Sequence, residues 1–388
     1  MGGRALIVGL LFILAGASSA QAARIVTWET ESRFVDPAEV RFNPPPDGAP
    51  PRPPGLRVNV YLPDGYDGKR RFPVLYLLHN LYTTFEGWAS PRQGDVMNVA
   101  EGFPAIIVMP EGARGWYANW WNGGARGGPG WERYHLEELI RLAERRLRIR
   151  PGRRWHAIAG PSMGGQGAAF YASQRPGYFG AAGLFSAPLS IQRPEWPGLG
   201  MESQGEDPRA VFGDPSEQSF YWAGHNPIEL VDNLTHTRLY VTVGDGRPAP
   251  DEIGNSDEAF GEAYLRTHAE EFIPTARDAG VDVTYEPRQG IHDWPYYRQH
   301  LAAAIRWGFF EPVRERPTTW TYETVAERSQ AWGIRFDFRS GPPAELATFK
   351  REGSRISGTG AGRVRVKARG ARSFTAQLPF DRRLPRRR

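Results

Sequence analysis

Short, continuously apolar runs alternate with longer amphipathic stretches through most of this chain of 388 residues. Apolar runs that lack polar alternation are typical of parallel strands that are buried on both faces. The amphipathic stretches carry apolar residues at helical spacing, so they predict helices that cover the two faces of one sheet. The chain is therefore predicted to have an α/β fold, with a mostly parallel sheet flanked by helices.

The apolar runs predict strands at residues 24–28, 57–62, 73–78, 105–109, 156–159, 181–185, 239–243 and 281–285. The amphipathic stretches predict helices at residues 132–147, 165–175, 258–279 and 293–308.

Two segments depart from this alternation. Residues 186–236 form a long insertion rich in Pro, Gly and Trp between two predicted strands. Beyond about residue 317, Gly-rich turns separate short strand patterns at 332–338, 355–358, 364–367 and 373–378, which predict a small antiparallel domain. We therefore predict a main α/β domain over residues 23–316 that contains the insertion, a β-rich domain over 317–380 and an Arg-rich tail over 381–388.

The N-terminal 22 residues have the three parts of a secretory signal peptide. Arg4 supplies the positive charge, an uncharged run continues to Ala20, and Ala20-Gln21-Ala22 supplies the small-residue cleavage pattern. Glycine and serine interrupt the run before it reaches the ~20 apolar residues that a transmembrane helix needs. The sequence therefore predicts cleavage after Ala22 and a secreted or cell-envelope protein.

Composition excludes several kinds of site. The chain has no cysteine, so disulfides, thiol nucleophiles and thiolate metal sites are excluded. Its formal net charge of +5 is unevenly placed, because residues 351–388 contain twelve Arg and Lys against only Glu352 and Asp381. The tail can hold an anionic cell-envelope polymer, although a solvated end is the simpler interpretation. Nucleic acid is not an expected partner of an exported chain that has no readout motif.

The strongest motif is Gly160-Pro161-Ser162-Met163-Gly164-Gly165, which follows an apolar strand and opens a helix of small residues. A strand, a G-x-S-x-G turn and a helix in this order predict a nucleophile elbow. The turn exposes the Ser162 hydroxyl, and the helix N-terminus directs free N–H groups, including that of Met163, at developing negative charge. We therefore predict that Ser162 is a nucleophile.

A second oxyanion donor is expected in the loop after the strand at 73–78. That loop reads His79-Asn80-Leu81, and we assign the Leu81 N–H to the oxyanion hole. Asn80 is expected to adopt the positive φ of such a turn, because Asn tolerates it better than other non-glycine residues. The alternative is that His79 and Asn80 merely cap the end of the strand.

The chain order of this elbow type places the base last, after the final strand of the sheet. Of eight histidines, His292 fits best because it follows the predicted strand at 281–285 and precedes the helix at 293–308. Two carboxylates compete to orient it. Asp245 follows the strand at 239–243 and is favoured by topology alone, whereas Glu262 lies further along, near the start of a predicted helix.

Six segments match a known family in order and spacing, over roughly residues 56–308. They are Val74-Leu75-Tyr76-Leu77-Leu78, Gly160-Pro161-Ser162-Met163-Gly164-Gly165, Val211-Phe212-Gly213-Asp214-Pro215, His225-Asn226-Pro227, Leu239-Tyr240-Val241 and His292-Asp293-Trp294. Together they resemble the esterase D / antigen 85 family of secreted α/β-hydrolases, which includes mycolyltransferases. The resemblance implies an α/β-hydrolase fold and leaves the predicted β-rich domain outside it.

The resemblance also bears on the acid. In the mycolyltransferase branch the acid is a Glu that precedes an aromatic/aliphatic-Arg stretch, which Glu262-Ala263-Tyr264-Leu265-Arg266 resembles. The position that matches Asp245 is commonly Asn in that branch. The resemblance therefore implies Glu262 as the orienting acid, with Asp245 as the alternative.

Aromatic residues cluster in the loops that follow the predicted strands. Flat aromatic faces suit sugar rings and acyl chains, so Trp120, Trp222 and Trp294 are candidate substrate contacts. Ordinary packing of a long insertion is the alternative for these rings.

These motifs favour a secreted serine esterase or acyltransferase that acts on carboxylic esters, such as an acyl lipid or an acylated sugar, through an acyl-enzyme on Ser162. The sequence does not fix whether water or a bound alcohol completes the reaction. The alternative is a catalytically inactive family member that binds the cell envelope or carbohydrate. The complete set of Ser162, His292 and an acid favours the enzyme, for which no cofactor and no metal are expected.

Overall fold

The computed structural model describes residues 21–44, 53–122, 128–250 and 255–384. Residues 1–20 of the predicted signal peptide and the last four residues of the predicted tail lie outside these ranges. The strands of the main domain are β1 (Arg24–Thr30), β2 (Leu56–Leu62), β3 (Val74–Leu77), β4 (Ile106–Pro110), β5 (His156–Pro161), β6 (Ala181–Phe185), β7 (Arg238–Thr242) and β8 (Asp282–Tyr285).

The α-helices of the described residues are α1 (Val96–Val99), α2 (Trp131–Arg133), α3 (Ile140–Arg146), α4 (Met163–Gln174), α5 (Pro208–Phe212), α6 (Ser219–Ala223), α7 (Ser256–Asp278) and α8 (Trp294–Trp307). A π-helical segment, Tyr134–Leu139, joins α2 to α3. The helix predicted at 132–147 is therefore a composite of these three pieces. No helix among the described residues is both long enough and apolar enough to cross a membrane.

These strands form one sheet in the order β1-β2-β4-β3-β5-β6-β7-β8. β1, β2 and β4 pair antiparallel, and every pair from β4–β3 to β7–β8 is parallel. Side chains alternate between two hydrophobic cores: Val74 and Tyr76 of β3 belong to one, while Leu75 and Leu77 belong to the other. The predicted fold class, a mostly parallel sheet flanked by helices, is confirmed.

The C-terminal residues form a separate pair of four-stranded antiparallel sheets, which we call the C-terminal sandwich. Its strands are β9 (Thr319–Thr324), β10 (Arg328–Ala331), β11 (Ile334–Phe338), β12 (Ala347–Glu352), β13 (Arg355–Thr359), β14 (Arg363–Ala368), β15 (Phe374–Gln377) and β16 (Phe380–Arg383). The sheets have the orders β10-β11-β14-β15 and β16-β13-β12-β9. They enclose their own aromatic core, in which the Phe336 and Phe349 rings stack with centroids 3.9 Å apart.

Two sequence predictions for this region are wrong. The strand predicted at 332–338 is interrupted, because Trp332 and Gly333 both have positive φ and form the turn between β10 and β11. The predicted tail is shorter than expected, since residues 381–383 belong to β16 and pair with β13. β16 is the edge strand of its sheet, and the Arg382 guanidinium packs over the Phe374 ring, 5.6 Å from the ring centroid.

The sandwich docks on the main domain through buried polar contacts. Asn233 donates to the Glu323 carbonyl (2.9 Å) and accepts from the Glu323 N–H (2.7 Å), while Thr324 donates to the Gln174 side chain (3.0 Å) at the end of α4. The Val325 side chain packs into the hydrophobic core of the main domain. The predicted boundary at residues 316/317 lies between α8 and β9, but the two units share part of one buried interior.

Candidate active site

The loop between β5 and α4 has the strained geometry of a nucleophile elbow. Ser162 has φ 55° and ψ −126°, a backbone conformation that L-residues rarely adopt. The turn is possible only because its neighbours lack a Cβ. A Cβ on Gly160 would lie 2.7 Å from the Gly164 carbonyl carbon, and one on Gly164 would lie 2.6 Å from the His79 oxygen. The loop therefore presents Ser162 at the carboxyl end of β5, directly at the N-terminus of α4.

A continuous hydrogen-bonded chain runs from Ser162 to a carboxylate. The Ser162 Oγ lies 2.9 Å from His292 Nε2, and His292 Nδ1 lies 2.7 Å from Glu262 Oε2. His292 is held in the loop between β8 and α8, where its N–H donates to the Glu258 carbonyl (3.2 Å). A carboxylate on Nδ1 fixes the imidazole tautomer that leaves Nε2 free to accept a proton from the serine.

Glu262 is buried completely, on the second turn of α7. Its other oxygen, Oε1, accepts hydrogen bonds from the Ser186 hydroxyl (2.6 Å) and from the Gly244 N–H. Burial by itself raises the pKa of Glu262, but the hydrogen bonds and charge of His292, with those of Ser186 and Gly244, outweigh burial and lower it. The hydrogen bonds to Glu262 therefore favour its ionised form beside the imidazole.

Asp245, the alternative acid, is directed elsewhere. Its carboxylate accepts from the Arg247 N–H (3.0 Å) and guanidinium (2.7 Å) and from the Gly290 N–H (3.2 Å), and no hydrogen bond joins it to His292 among the described residues. Burial opposes its ionisation, but these donors outweigh burial and lower the pKa of Asp245. Asp245 therefore ties the β7–α7 loop to the segment that precedes His292.

The two predicted oxyanion donors, the Leu81 and Met163 N–H groups, lie in well-fixed parts of the backbone. Within the described residues, neither the Leu81 nor the Met163 N–H donates to another protein group. The loop that carries Leu81 is fixed by the Tyr117 hydroxyl, which binds both the N–H and the carbonyl of His79 (3.0 Å each), and by Asn43, which donates to the Leu81 carbonyl (2.7 Å). Donors that are held in place without a partner are what an oxyanion hole requires.

The prediction that Asn80 adopts a positive φ is wrong. Positive φ occurs at Ser162 and Ser186, but Asn80 is not among the non-glycine residues that adopt it in the described chain. Instead, the Asn80 side chain accepts from the Thr83 hydroxyl (2.8 Å), and its carbonyl lies 2.7 Å from His79 Nδ1. The loop is held by side-chain hydrogen bonds, so a glycine-like backbone is not needed at this position.

The three predicted tryptophan contacts differ in their burial. Trp222 is 1% exposed, packs on Phe212 and donates to the Gly213 carbonyl (3.0 Å), so the prediction that it contacts substrate is wrong. Trp294 is 8% exposed and packs edge-on against Trp88, which braces the loop next to the oxyanion donors. Trp120 is partly exposed and donates to the Gly115 carbonyl (3.1 Å); its contact with substrate stays a prediction.

The other buried histidines, which are alternatives to His292 as the base, lie among packed side chains. His135 lies 2.9 Å from the Glu111 carbonyl and 2.8 Å from the Tyr171 hydroxyl, and burial lowers its pKa to about 3. Burial likewise lowers the pKa of His156 and His300 to about 4 and that of His268 to about 3. These groups are neutral at physiological pH, and each lies within a packed interior.

Sequence reasoning missed two groups that hold the acid, the Ser186 hydroxyl and the Gly244 N–H. A signal for Ser186 was present, because it directly follows β6, and the carboxyl ends of β5, β6 and β7 meet at one edge of the sheet. Among the described residues there is no group of three or more His, Asp or Glu side chains that could hold a metal ion.

Proteins with the α/β-hydrolase fold carry their reactive serine on such an elbow at this edge of the sheet, and this is the class to which the fold assigns the chain. The Esterase family model matches residues 54–307, and the chain belongs to that family. The match ends before β9, so it does not include the C-terminal sandwich.

Two relatives illustrate the family. The chain is 31% identical over 231 residues to Esterase Rv1288 of Mycobacterium tuberculosis (strain ATCC 25618 / H37Rv), covering 58% of this chain and 49% of that protein. It is 29% identical over 276 residues to the diacylglycerol acyltransferase/mycolyltransferase Ag85C of Mycobacterium leprae (strain TN), covering 64% and 80%. The chain thus spans about half the length of the first of these relatives.

Solved structures show the same fold. The fluorophosphonate-binding serine hydrolase FphF of Staphylococcus aureus superposes with a TM-score of 0.57 at 19% identity, over 75% of this chain and 100% of that one. MPT51 of Mycobacterium tuberculosis superposes with a TM-score of 0.53 at 23% identity, over 70% and 98%. In both cases nearly the whole neighbour is matched, while at least a quarter of this chain has no counterpart in it.

Proposed function

We propose that this protein is a serine esterase or acyltransferase in which Ser162 is the nucleophile, His292 the general base and Glu262 the orienting acid. The observation that carries the proposal is the unbroken chain of hydrogen bonds from the Ser162 hydroxyl through His292 to Glu262. Nucleophile, base and orienter within hydrogen-bond reach of one another are the arrangement that activates a serine.

In the first half-reaction, the Ser162 Oγ attacks the ester carbonyl carbon while its proton moves to His292 Nε2. The carbonyl oxygen becomes an oxyanion, which the Leu81 and Met163 N–H groups and the N-terminus of α4 stabilise. His292 then gives its proton to the departing alkoxide, and the acyl group stays on Ser162. Water or a second alcohol, deprotonated by His292, attacks the acyl carbon of this acyl-enzyme. The bond to Ser162 Oγ breaks, His292 returns the proton to Oγ, and the acid or a new ester is released.

Glu262 does not take up the proton in this scheme. Its negative charge stabilises the imidazolium that forms when His292 accepts the serine proton, and its hydrogen bond keeps the ring in the reactive tautomer. Because the carboxylate is buried and held by three donors, its charge acts at short range with little screening by solvent.

The proposed substrates are carboxylic esters of an acyl lipid or an acylated sugar. Support comes from the family and from the relatives named an esterase and a diacylglycerol acyltransferase/mycolyltransferase. We further propose that the protein acts outside the cytoplasm, on the basis of the signal-peptide pattern in residues 1–22, most of which lie outside the described residues. The inactive, carbohydrate-binding alternative is kept as an outcome of the experiment below.

The direct test is labelling and turnover by the Ser162→Ala variant. We expect the unmodified chain to react with a fluorophosphonate probe and to release a burst of p-nitrophenol from a short-chain ester, because an acyl-enzyme forms faster than it is hydrolysed. Ser162→Ala should lose both signals, while Ser203→Ala, which changes an exposed serine of the insertion, should keep both. Equal labelling of Ser162→Ala would overturn the assignment, and absence of labelling in the unmodified, folded chain would favour the inactive alternative.

The same assay separates hydrolysis from transfer. Products are measured by mass spectrometry with and without added alcohols, including sugars and diacylglycerol. New esters at the expense of free acid indicate a transferase, and unchanged free acid indicates a hydrolase.

A further inference from the structure

The two sheets of the C-terminal sandwich have outer faces of very different charge. Strand alternation turns every second side chain outward, and in the sheet β10-β11-β14-β15 the register sets these side chains side by side. The outward positions carry five cations and one carboxylate: Arg328, Arg335, Asp337, Arg363, Arg365 and Lys367. We call this surface the cationic face.

The other sheet, β16-β13-β12-β9, is balanced. Its outward positions carry three cations and three carboxylates: Glu323, Lys350, Glu352, Arg355, Asp381 and Arg383. Arg355 and Asp381 form an ion pair across the strands. We call this surface the neutral face. Since both sheets have the same antiparallel architecture, the charge of the cationic face is not something that folding requires.

The cations of the cationic face are not neutralised by neighbouring side chains. Within the described residues none of the five forms an ion pair, and the Arg365 guanidinium donates only to the Ser373 hydroxyl (3.2 Å). Arg335 lies directly opposite Lys367 in the register, an arrangement that lowers sheet stability. Asp337 is the single carboxylate on the surface, between the cross-strand positions of Arg328 and Arg365.

A groove of about 800 Å³ continues the cationic face toward the main domain. It lies between β10 and β11 on one side and the segment around α3 and the end of α4 on the other. Its lining includes six arginines against four carboxylates. Arg141 and Arg175 of the main domain line one side, and Arg335 and Arg339 of the sandwich line the other. The positive surface is therefore an extended track that spans both units.

We propose that the cationic face and this groove bind a linear acidic polysaccharide. Four of the five cations are arginines, whose planar guanidinium groups match carboxylates in bidentate geometry. The outward positions of the described strands include no aromatic ring on which a nucleic-acid base could stack, and no aliphatic side chain that could enter a membrane. The aromatic rings that line the groove are already packed within the protein: Tyr178 stacks on His156, Trp332 lies against Arg153, and Phe338 is buried. A hydrophilic, multiply charged chain that lies along a polar sheet is the partner that fits.

This site is distinct from the one assigned to the tail by sequence reasoning. Arg382 and Arg383 are part of β16, and the Arg382 guanidinium lies over the Phe374 ring (5.6 Å). The groove is also remote from Ser162, because its lining includes Arg175 and Gly177, beyond the far end of α4. The proposed surface therefore holds the enzyme on a polymer without taking part in its chemistry, and it does not depend on the proposed function.

The test is binding of polygalacturonate to the full chain, measured by calorimetry at low and high salt. The variant Arg363→Gln/Arg365→Gln removes two charges from the cationic face, and Lys350→Gln/Arg383→Gln removes two from the neutral face as a matched control. Each cation near an anionic surface contributes about fivefold in affinity, so we expect a loss of about thirtyfold in the first variant and about twofold or less in the control. Both variants should hydrolyse a soluble p-nitrophenyl ester at the rate of the unmodified chain.

The salt dependence and the competitors decide between partners. Binding by the unmodified chain should weaken steeply as salt rises, as expected when charged contacts dominate. Equal loss in both variants, equal binding of a neutral glucan, or tighter binding of DNA or of vesicles that contain phosphatidylglycerol would overturn the proposal. Since ester turnover is measured separately, a failure of the polymer site leaves the assignment of Ser162 unaffected, and the reverse also holds.

Discussion

The two edges of the central sheet are built in opposite ways. At the carboxyl edge, Ser162 and Ser186 occupy backbone conformations with positive φ, and the Leu81 and Met163 N–H groups donate to no other described residue. At the amino edge, Arg153 alone makes hydrogen bonds to the carbonyls of Pro176, Phe179, His236 and Arg314. The first edge leaves polar groups ready for a ligand, whereas the second satisfies them internally.

The C-terminal sandwich adds to this difference. It docks at the amino edge, where the Trp332 ring lies under the Arg153 guanidinium (4.6 Å) and Trp332 packs on Gly177. Docking replaces water around the strand ends with protein partners, so that edge contributes to stability. Among the described residues, the sandwich makes no such contact with the carboxyl edge, which keeps its strain and its unpartnered donors, the arrangement that chemistry requires.

The largest expected effect concerns the two carboxylates of the carboxyl edge. Glu262→Gln should lower kcat on a soluble ester by about 10⁴-fold, because an amide at this position no longer holds the reactive tautomer or stabilises the imidazolium. Asp245→Asn should cost at most about tenfold, since Asp245 anchors a loop and makes no hydrogen bond to His292 among the described residues. Steady-state kinetics of the two matched variants provide the measurement. Comparable losses in both would mean that Glu262 does not orient the base.

The next effect belongs to the amino edge. Arg153 is 2% exposed, and burial lowers its pKa to about 10. Arg153→Met should reduce the free energy of unfolding by about 3–5 kcal/mol, because several buried carbonyls lose their donor at once. Arg150→Met, at a partly exposed arginine that donates to the Arg71 carbonyl, should cost about 1 kcal/mol or less.

Urea denaturation measures both arginine variants, and kcat on a soluble ester should stay within about threefold of that of the unmodified chain. A large loss of activity in folded Arg153→Met would show that the two edges are coupled. The amino edge would then affect the chemistry as well as the stability of the protein.

Much of this architecture could be predicted from the sequence, because the features concerned are set by short segments of the chain. The elbow, the position of His292 and the apolar strands depend on short segments whose patterns have few alternatives. The choice between Glu262 and Asp245 depended on a family resemblance, since it turns on how far α7 extends over the sheet. Ser186 was missed because its only signal is its position directly after β6, and a single serine there adds no periodic pattern.

The C-terminal sandwich was predicted less well than the main domain, for physical reasons. Its strands are short and partly charged, so half of them give weak alternation; β9, β10, β12 and β16 were not predicted. The burial of Trp222 was hidden too, because the insertion has no regular pattern and its tertiary packing alone decides which rings are covered.

A third prediction concerns the junction between the two units. Glu132 is buried beside a small cavity that Val325 and Arg328 of the sandwich also line, and burial raises its pKa to about 7. A carboxyl group whose pKa is raised on folding binds its proton more tightly in the folded state. Ionised Glu132 therefore lowers the free energy of unfolding, and this loss is absent below pH ~4.5 and complete above pH ~7.

Glu132→Gln should consequently be more stable than the unmodified chain by about 2–3 kcal/mol at pH 8 and equally stable at pH 4. The amide oxygen can still accept from Asn119, which now donates to Glu132 at 2.6 Å. Glu137→Gln, at a more exposed position on the same helical segment, serves as the control. Urea denaturation at the two pH values measures the effect, and a variant that is less stable at pH 8 would contradict the assigned direction.

The smallest effect returns to the carboxyl edge and tests how its acid is held. The Ser186 hydroxyl is one of three donors to the Glu262 carboxylate, at 2.6 Å from Oε1, while His292 and Gly244 supply the other two. Removing one hydrogen bond to a buried charge costs about 1.5 kcal/mol, so Ser186→Ala should lower kcat by roughly tenfold with little change in KM.

Alanine at position 186 adopts the same positive φ as the serine, so the backbone strain is unchanged by the substitution. The variant should also raise the pKa of Glu262, because one of the three donors to its carboxylate is lost. Ser190→Ala, four residues further along and also buried, is the matched control; equal losses in the two variants would show that the effect is one of packing and that His292 and Gly244 alone suffice to hold the acid.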